Sequence, residues 1–280
     1  MVKIVTDTVA CLSLEVSNRY HIPVVPQVIN FGSETYLEGV DIDIDTFMRK
    51  LRASRELPKT AAPPVECFVK VFEQLVPSGE PILCIHPSSE VSGTVRSALT
   101  AAQEFPSADI RVIDTRLVGS PIGTIIQLAA EWSEAGEDID TIVSRINEMA
   151  PRCRIYFLVD TLEYLQRGGR IGGAQALLGS LLQIKPILTF EDGRVNQFEK
   201  VRTHRQALTR LKELVISQYP AQGGYLSVMH AGVPEQGTEL AKALAEELGL
   251  SNVPVVNVPP AIVTHAGPGI LVAAFFVALT

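Results

Sequence analysis

Cysteine is sparse in this chain and nowhere arranged for chemistry. The four residues (Cys11, Cys67, Cys84, Cys153) lie far apart, without CxxC or Cys/His spacing. That leaves no zinc or redox motif and reads as buried thiols in a reducing compartment. Positive charge is also short, with 24 Lys and Arg against 31 Asp and Glu and a net charge of −7. Nucleic-acid affinity comes largely from neutralised phosphates, so this balance argues against such a partner. No apolar run is long enough for a membrane span. The closing stretch GILVAAFFVALT has 12 residues and reads as a buried terminal element. The opening MVKIVTDT runs straight into a strand pattern without the features of a signal peptide, which makes the cytoplasm the default expectation. P-loop, GxGxxG and nucleophile-elbow motifs are missing as well.

What is present is apolar. Hydrophobic residues make up 46% of 280 positions, and mean hydropathy is +0.22. Either a well-filled α/β core or an internal cavity for a lipid-like ligand would account for this. Charge is unevenly spread. Residues 150–212 hold eleven Lys and Arg against five Asp and Glu, whereas residues 1–149 hold twelve against twenty-one. Such a basic band is a solvated face, an anion site or a docking surface.

Up to about residue 150, short apolar strands (2–6, 81–86, 110–113) alternate with helical patterns (13–20, 44–54, 64–75, 94–104), and 23–31 is extended by its prolines. Asp43 or Asp45 would cap the second of these helices. The alternation implies parallel βαβ units in a doubly wound sheet. Beyond that point the pattern changes. Strands at 184–190 and 195–200 flank Asp192-Gly193, a strong hairpin signal, and helices are expected at 203–218 and 234–248. The expected fold class is therefore α/β: an N-terminal parallel-sheet α/β domain over 1–151, and a C-terminal α+β domain with a mixed sheet over 152–280.

Several positions carry candidate chemistry. Ser92 is placed to N-cap the helix that begins near Thr94, and the Gly93 and Thr94 amides then face outward at a positive dipole end, suited to carboxylate or phosphate. The same geometry serves equally as a plain cap. Thr60 precedes a Pro63-Pro64 turn and becomes interesting only if the fold brings it beside Ser92. Asp7, Asp114 and Asp160 end strands, where ligands collect in open parallel sheets; each is a candidate acid–base group or metal ligand, or a loop-fixing cap. His265 sits among glycines that permit close backbone approach. From residue 156, YFLVDTLEYLQRGGRIGGAQALLGSLLQIKPIL places Arg167 and Arg170 within a glycine-rich elbow. The apolar helix expected at 174–182 is then buried or forms a tunnel wall through Ala174, Leu177, Leu178, Leu181 and Leu182.

The segments EGVD at 38–41, SSEVSGT at 88–94, Asp114-Thr115, YFLVDTLEYLQRGGRI at 156–171, KPIL at 185–188 and HAGPG at 265–269 occur in one order. In these the chain resembles the DegV family of bacterial fatty-acid-binding proteins. The resemblance implies a long-chain, palmitate-like fatty acid as ligand and no cofactor. Thr60 and Ser92 are then the carboxylate-binding hydroxyls, with Arg170, Arg202 and His265 around the head group. It also implies a carrier that presents the acid to a separate fatty-acid kinase making an acyl phosphate, rather than an enzyme. The chain departs where the family commonly has Thr-Ser-Gln-Pro and this sequence reads Thr60-Ala61-Ala62-Pro63. Two alternatives stay open: an enzyme of phosphoryl or acyl transfer using the strand-end aspartates, and a protein-binding module using the basic band.

Overall fold

The computed structural model describes residues 1–54, 56–177 and 185–278. Its first part comprises β1 (Lys3–Asp7), α1 (Leu14–Arg19), β2 (Val24–Val25), β3 (Val28–Phe31), β4 (Glu34–Leu37), α2 (Ile44–Ala53), β5 (Lys59–Ala61) and α3 (Val65–Leu75). It continues through β6 (Ile82–His86), α4 (Thr94–Ala102), β7 (Ile110–Asp114), α5 (Ser120–Glu134) and α6 (Ile139–Met149). Then follow β8 (Cys153–Leu158), α7 (Glu163–Arg167), β9 (Lys185–Glu191), β10 (Arg194–Val201), α8 (His204–Gln218), β11 (Ser227–His230), α9 (Pro234–Leu248), β12 (Val255–Asn257), α10 (Pro260–Ala266) and β13 (Leu271–Phe276).

A parallel sheet runs β2-β1-β6-β7. Alternate residues face opposite layers: Ile4, Leu83 and Ile85 join the core containing α5, while Val5, Ile82 and Cys84 pack on Phe68 and Phe72 of α3 and Ala98 and Ala101 of α4. Helices on both faces bury both sides of the strands, so these read as continuous apolar runs. The chain leaves β1 first toward β2 and then crosses back to β6. The switch in strand order therefore falls between β1 and β6, where open α/β sheets open a crevice at their carboxyl ends.

The second large sheet is mixed, in the order β10-β9-β8-β13-β11-β12, with only β11 and β12 parallel. The C-terminal apolar stretch supplies β13, an inner strand buried at all six positions. Its residues alternate: Val272, Ala274 and Phe276 face the core shared with the first part of the chain, and Leu271, Ala273 and Phe275 face α8 and α9. The hairpin turns at Asp192-Gly193, both at positive φ. Helix ends follow their capping chemistry: Asp43 accepts from the Thr46 amide at 2.7 Å, and Thr203 forms a capping box with Gln206.

Three expectations are corrected. Thr60 does not sit in a plain turn but on β5, an edge strand opposite Ile29 in the small sheet β4-β3-β5; short edge pairing of this kind leaves no apolar run to read. The residue capping α4 is Gly93, not Ser92: the Ser92 hydroxyl is engaged with the Thr94 side chain and accepts from the Thr94 amide at 3.3 Å, the first amide of the helix rather than the second or third that an N-cap serves. In place of a helix from residue 174, Gly172–Leu177 forms a 3-10 turn; Leu178, Leu181 and Leu182 lie outside the described residues.

Candidate functional site

The loops that follow β1, β6 and β7 converge with the inner face of the mixed sheet around one cavity of about 860 Å³ of empty space, its open mouth included. The walls are almost wholly apolar: Val118 and Gly119 follow β7, Ile155 and Phe157 come from β8, Phe190 from β9, Met229 from β11 and Val272 from β13. The polar lining residues are Gln27, Thr60, Ser92, Arg170 and His265.

Four of the sequence-derived candidates thus meet, although they are up to 205 residues apart. Thr60 Oγ1 lies 2.7 Å from His265 Nε2. The Ser92 hydroxyl lies 2.8 Å from Thr94 Oγ1, which in turn accepts from Gln27 Nε2 at 2.9 Å. Gln27 Nε2 also donates to Asp7 Oδ1 at 3.0 Å, and Asp7 Oδ2 is 2.7 Å from Nδ1 of the fully buried His86. Arg170 donates through Nε to the Val91 carbonyl at 3.2 Å and through a terminal nitrogen to the Gly168 carbonyl at 2.7 Å. No carboxylate among the described residues pairs with its guanidinium, and desolvation lowers its pKa.

His265 is held neutral. Burial, and then the Arg170 charge, push its pKa down to about 4. Nδ1 is buried with no partner among the described residues, and the Arg170 charge favours a lone pair there over a proton. The ring's single proton therefore belongs on Nε2, donated to Thr60, which leaves the Thr60 hydroxyl proton for the cavity. The ring owes its position to a glycine: a Cβ on Gly168 would stand 2.3 Å from His265 Nδ1. This gives the glycine–arginine elbow a concrete purpose.

The remaining expected site residues fare differently. Thr94 is fully buried with its hydroxyl engaged behind Ser92, and neither it nor Gly93 belongs to the described cavity lining. Arg202 is exposed in a surface cleft with Arg205 and Arg210, its amide donating to Gln206 Oε1 at 3.2 Å. The hairpin register explains its absence from the cavity. Val195, opposite Phe190, lines the space, and seven residues further along the strand Arg202 is roughly 20 Å away. Ala174 and Leu177 are buried in the shared core but are not among the described lining residues.

The strand-end aspartates do not converge. Asp7 caps the turn at Thr8–Ala10 and holds Gln27, Asp114 accepts from the Ser89 hydroxyl and the Arg116 amide, and Asp160 is exposed against Gly269. No group of three His, Cys, Asp or Glu able to hold a metal occurs among the described residues. Burial pushes the Cys11, Cys84 and Cys153 thiols far up, consistent with inert packing residues. None of the described helices is long and apolar enough to cross a membrane.

Two residues escaped sequence reasoning. Gln27 is one of two amides, with Asn30, in the otherwise apolar stretch IPVVPQVINF, and that interruption was the available signal. Glu38 is buried and accepts from the Thr8 hydroxyl and, at 2.8 Å, from the Ala261 amide that opens α10. Burial raises its pKa to about 7 despite those two bonds, with the Asp7 charge adding to the rise.

Comparison with known proteins follows the same lines. A family model described as "Uncharacterised protein, DegV family" matches residues 1–278. A DegV domain-containing protein of Streptomyces coelicolor is 37% identical over 272 residues, 96% of each chain. A solved structure reporting fatty-acid binding by a DegV family protein from Thermus thermophilus is similar at TM-score 0.91 and 29% identity, covering 99% of both chains. That of DegV, a fatty acid binding protein from Bacillus subtilis, has TM-score 0.88 and 32% identity over 98% of this chain and 99% of that one.

Proposed function

The chain belongs to the DegV family, and we propose that it binds one long-chain fatty acid, acyl chain in the apolar cavity and carboxylate at its polar lining residues. The observation that carries this reading is Arg170: a half-buried guanidinium with no carboxylate partner among the described residues, facing an otherwise apolar cavity beside two hydroxyls. A buried charge calls for a counter-charge, and a fatty acid supplies both an anion and a tail that matches the walls. Thr60 and Ser92 donate to the carboxylate, Arg170 neutralises it, and His265 orients Thr60. On this reading residues 1–151 supply the hydroxyls and residues 152–280 most of the acyl wall.

Magnitudes divide the work. Burying the methylenes of a sixteen-carbon chain at about 0.8 kcal/mol each yields roughly 11 kcal/mol. Association costs of about 4–15 kcal/mol offset much of this. The tail therefore supplies most of the gross affinity, and the head group decides orientation and retention.

The protein acts on this reading as a non-catalytic carrier that hands the acid to a separate enzyme, a fatty-acid kinase in the family-level expectation. The cavity mouth bears on that step. Ala61 is exposed, and the Ala62 Cβ would lie 3.3 Å from a Cβ placed on Gly93, so Ala62 flanks the Ser92 loop where a partner would approach.

A Thr60→Ala/Ser92→Ala double variant tests the assignment. Organic extraction and mass spectrometry of the purified wild type should give fatty acid in near-stoichiometric amount, and the double variant little. Full occupancy in the variant would defeat the carboxylate site, and an empty wild type the reading itself.

A further inference from the structure

Behind Ser92 lies a hydrogen-bonded row whose direction can be worked out atom by atom. Asp7 Oδ1 accepts from the Val9 amide at 2.9 Å and faces Gln27 at 3.0 Å. A carboxylate oxygen offers no proton, so the Gln27 atom facing it is the NH2 group, which fixes the orientation of that amide. The same nitrogen lies 2.9 Å from Thr94 Oγ1, so its second N–H is given to Thr94. The Thr94 hydroxyl meets no other acceptor among the described residues, so its proton goes to Ser92 Oγ at 2.8 Å. The Thr94 amide also points at Ser92 Oγ, at 3.3 Å. Both donors thus converge on the Ser92 oxygen, and the Ser92 proton has only the cavity left. Gln27 is 3% exposed and Asp7 fully buried, so water does not compete along the row.

We infer that Gln27 is the positioning residue that selects the head group, ordering the Thr94 and Ser92 hydroxyls so that Ser92 presents its proton rather than a lone pair to the cavity. On the opposite side His265 does the same for Thr60. A head group that only accepts, such as an ionised carboxylate, satisfies both hydroxyl protons. A fatty alcohol offers those protons a single neutral oxygen, so the bonds lose their charge assistance. Selection of acid over alcohol of equal chain length thus draws on Gln27 and Asp7, three and four hydrogen bonds along the row from the ligand. This inference rests on the fatty-acid reading above.

The test is Gln27→Glu in the delipidated full chain at pH 8. Two carboxylates about 3 Å apart share one proton, so the introduced carboxyl group would keep its bond to Asp7 while accepting from Thr94 instead of donating to it. The row then runs backward, and Ser92 turns a lone pair to the cavity. Tetradecanoic acid and 1-tetradecanol are compared by displacement of a fluorescent fatty-acid probe. The wild type should prefer the acid, and the variant's acid-to-alcohol affinity ratio should fall roughly ten- to hundredfold, as expected for one charge-assisted hydrogen bond. In a Ser92→Ala background the same substitution should leave the ratio unchanged. Gln27→Met, which lacks any donor and brings no second carboxylate beside Asp7, provides a folded alternative and should lower the ratio in the same direction. A ratio equal to wild type in the folded variants overturns the inference, as does an equal loss for acid and alcohol, which marks a purely structural role. A wild type that binds neither compound sinks the fatty-acid reading itself.

Discussion

Gly168→Ala should invert the usual sign of a glycine-to-alanine change. Gly168 closes α7 at φ −77° and ψ −9°, a helical conformation that alanine adopts without strain. On backbone grounds alone the substitution would stabilise by about 0.4–1 kcal/mol. The new Cβ, however, would meet His265 Nδ1 at 2.3 Å and the Tyr164 carbonyl at 2.9 Å, whereas ordinary contact begins at 3.4 Å. The imidazole must therefore retreat by about 1.1 Å. A 2.7 Å bond from its other nitrogen to Thr60 cannot absorb that movement in either direction. Overpacking costs roughly 1–3 kcal/mol and the lost hydrogen bond about 0.5–1.5 kcal/mol. The net expectation is a loss on the order of 2 kcal/mol, read from the urea midpoint at unchanged slope, together with faster fatty-acid dissociation. Gly169→Ala is the control. Gly169 has φ +66° and nothing within 4 Å, so the change costs about 1–2 kcal/mol of backbone strain but leaves dissociation untouched. A Gly168→Ala protein as stable as wild type, with unaltered dissociation, would refute the reasoning.

Arg170→Met keeps much of the apolar stem while removing the charge; fatty-acid affinity should fall about tenfold or more by calorimetric titration, and a neutral acyl methyl ester should be indifferent to the change. Glu38 has a folded pKa of about 7, above its ordinary 4.5. The folded state therefore holds the extra proton, and this stabilisation is complete below pH 4.5 and lost as pH rises through 7. It amounts to on the order of 3 kcal/mol. The melting temperature of Glu38→Gln should accordingly gain on wild type between about pH 5 and 8, and parallel curves would contradict the burial argument. His265 acts in the opposite sense. Its folded pKa of about 4 lies below the ordinary 6.5, so the unfolded chain takes up the proton first, and lipid-free protein loses stability as pH falls from 6.5 toward 4. His265→Gln should lack that component when melting curves are compared across the window.

Much of the fold was legible because local signals and burial agreed. The run that became β13 is apolar over its length, β6 is apolar up to His86, and Asp192-Gly193 marked the hairpin that formed. Thr60, Ser92, Arg170 and His265 were each visible as residues of interest, yet none announced the others. Thr60 lies on a three-residue edge strand without apolar periodicity, and its orientation depends on pairing with Ile29. Arg202 was expected beside the head group from the resemblance, and nothing local says which end of the hairpin faces the described cavity. Register decides that, and register is a tertiary property. Ala174 and Leu177 were rightly read as apolar and buried, but the same burial fits a packed core as well as a cavity wall.

The sequence by itself determined the α/β class, the order of the elements and the residue types from which an anion site with an apolar body is built. These follow from periodicity, capping and turn chemistry, all of which act within a few residues. Only the tertiary structure decided that Thr60 and His265 share a hydrogen bond and that Arg170 goes without a carboxylate among the described residues. It alone placed Gln27 so as to order two hydroxyls. Such facts depend on distances across hundreds of residues of chain, and on the loss of water that makes an unpaired charge or an oriented proton consequential.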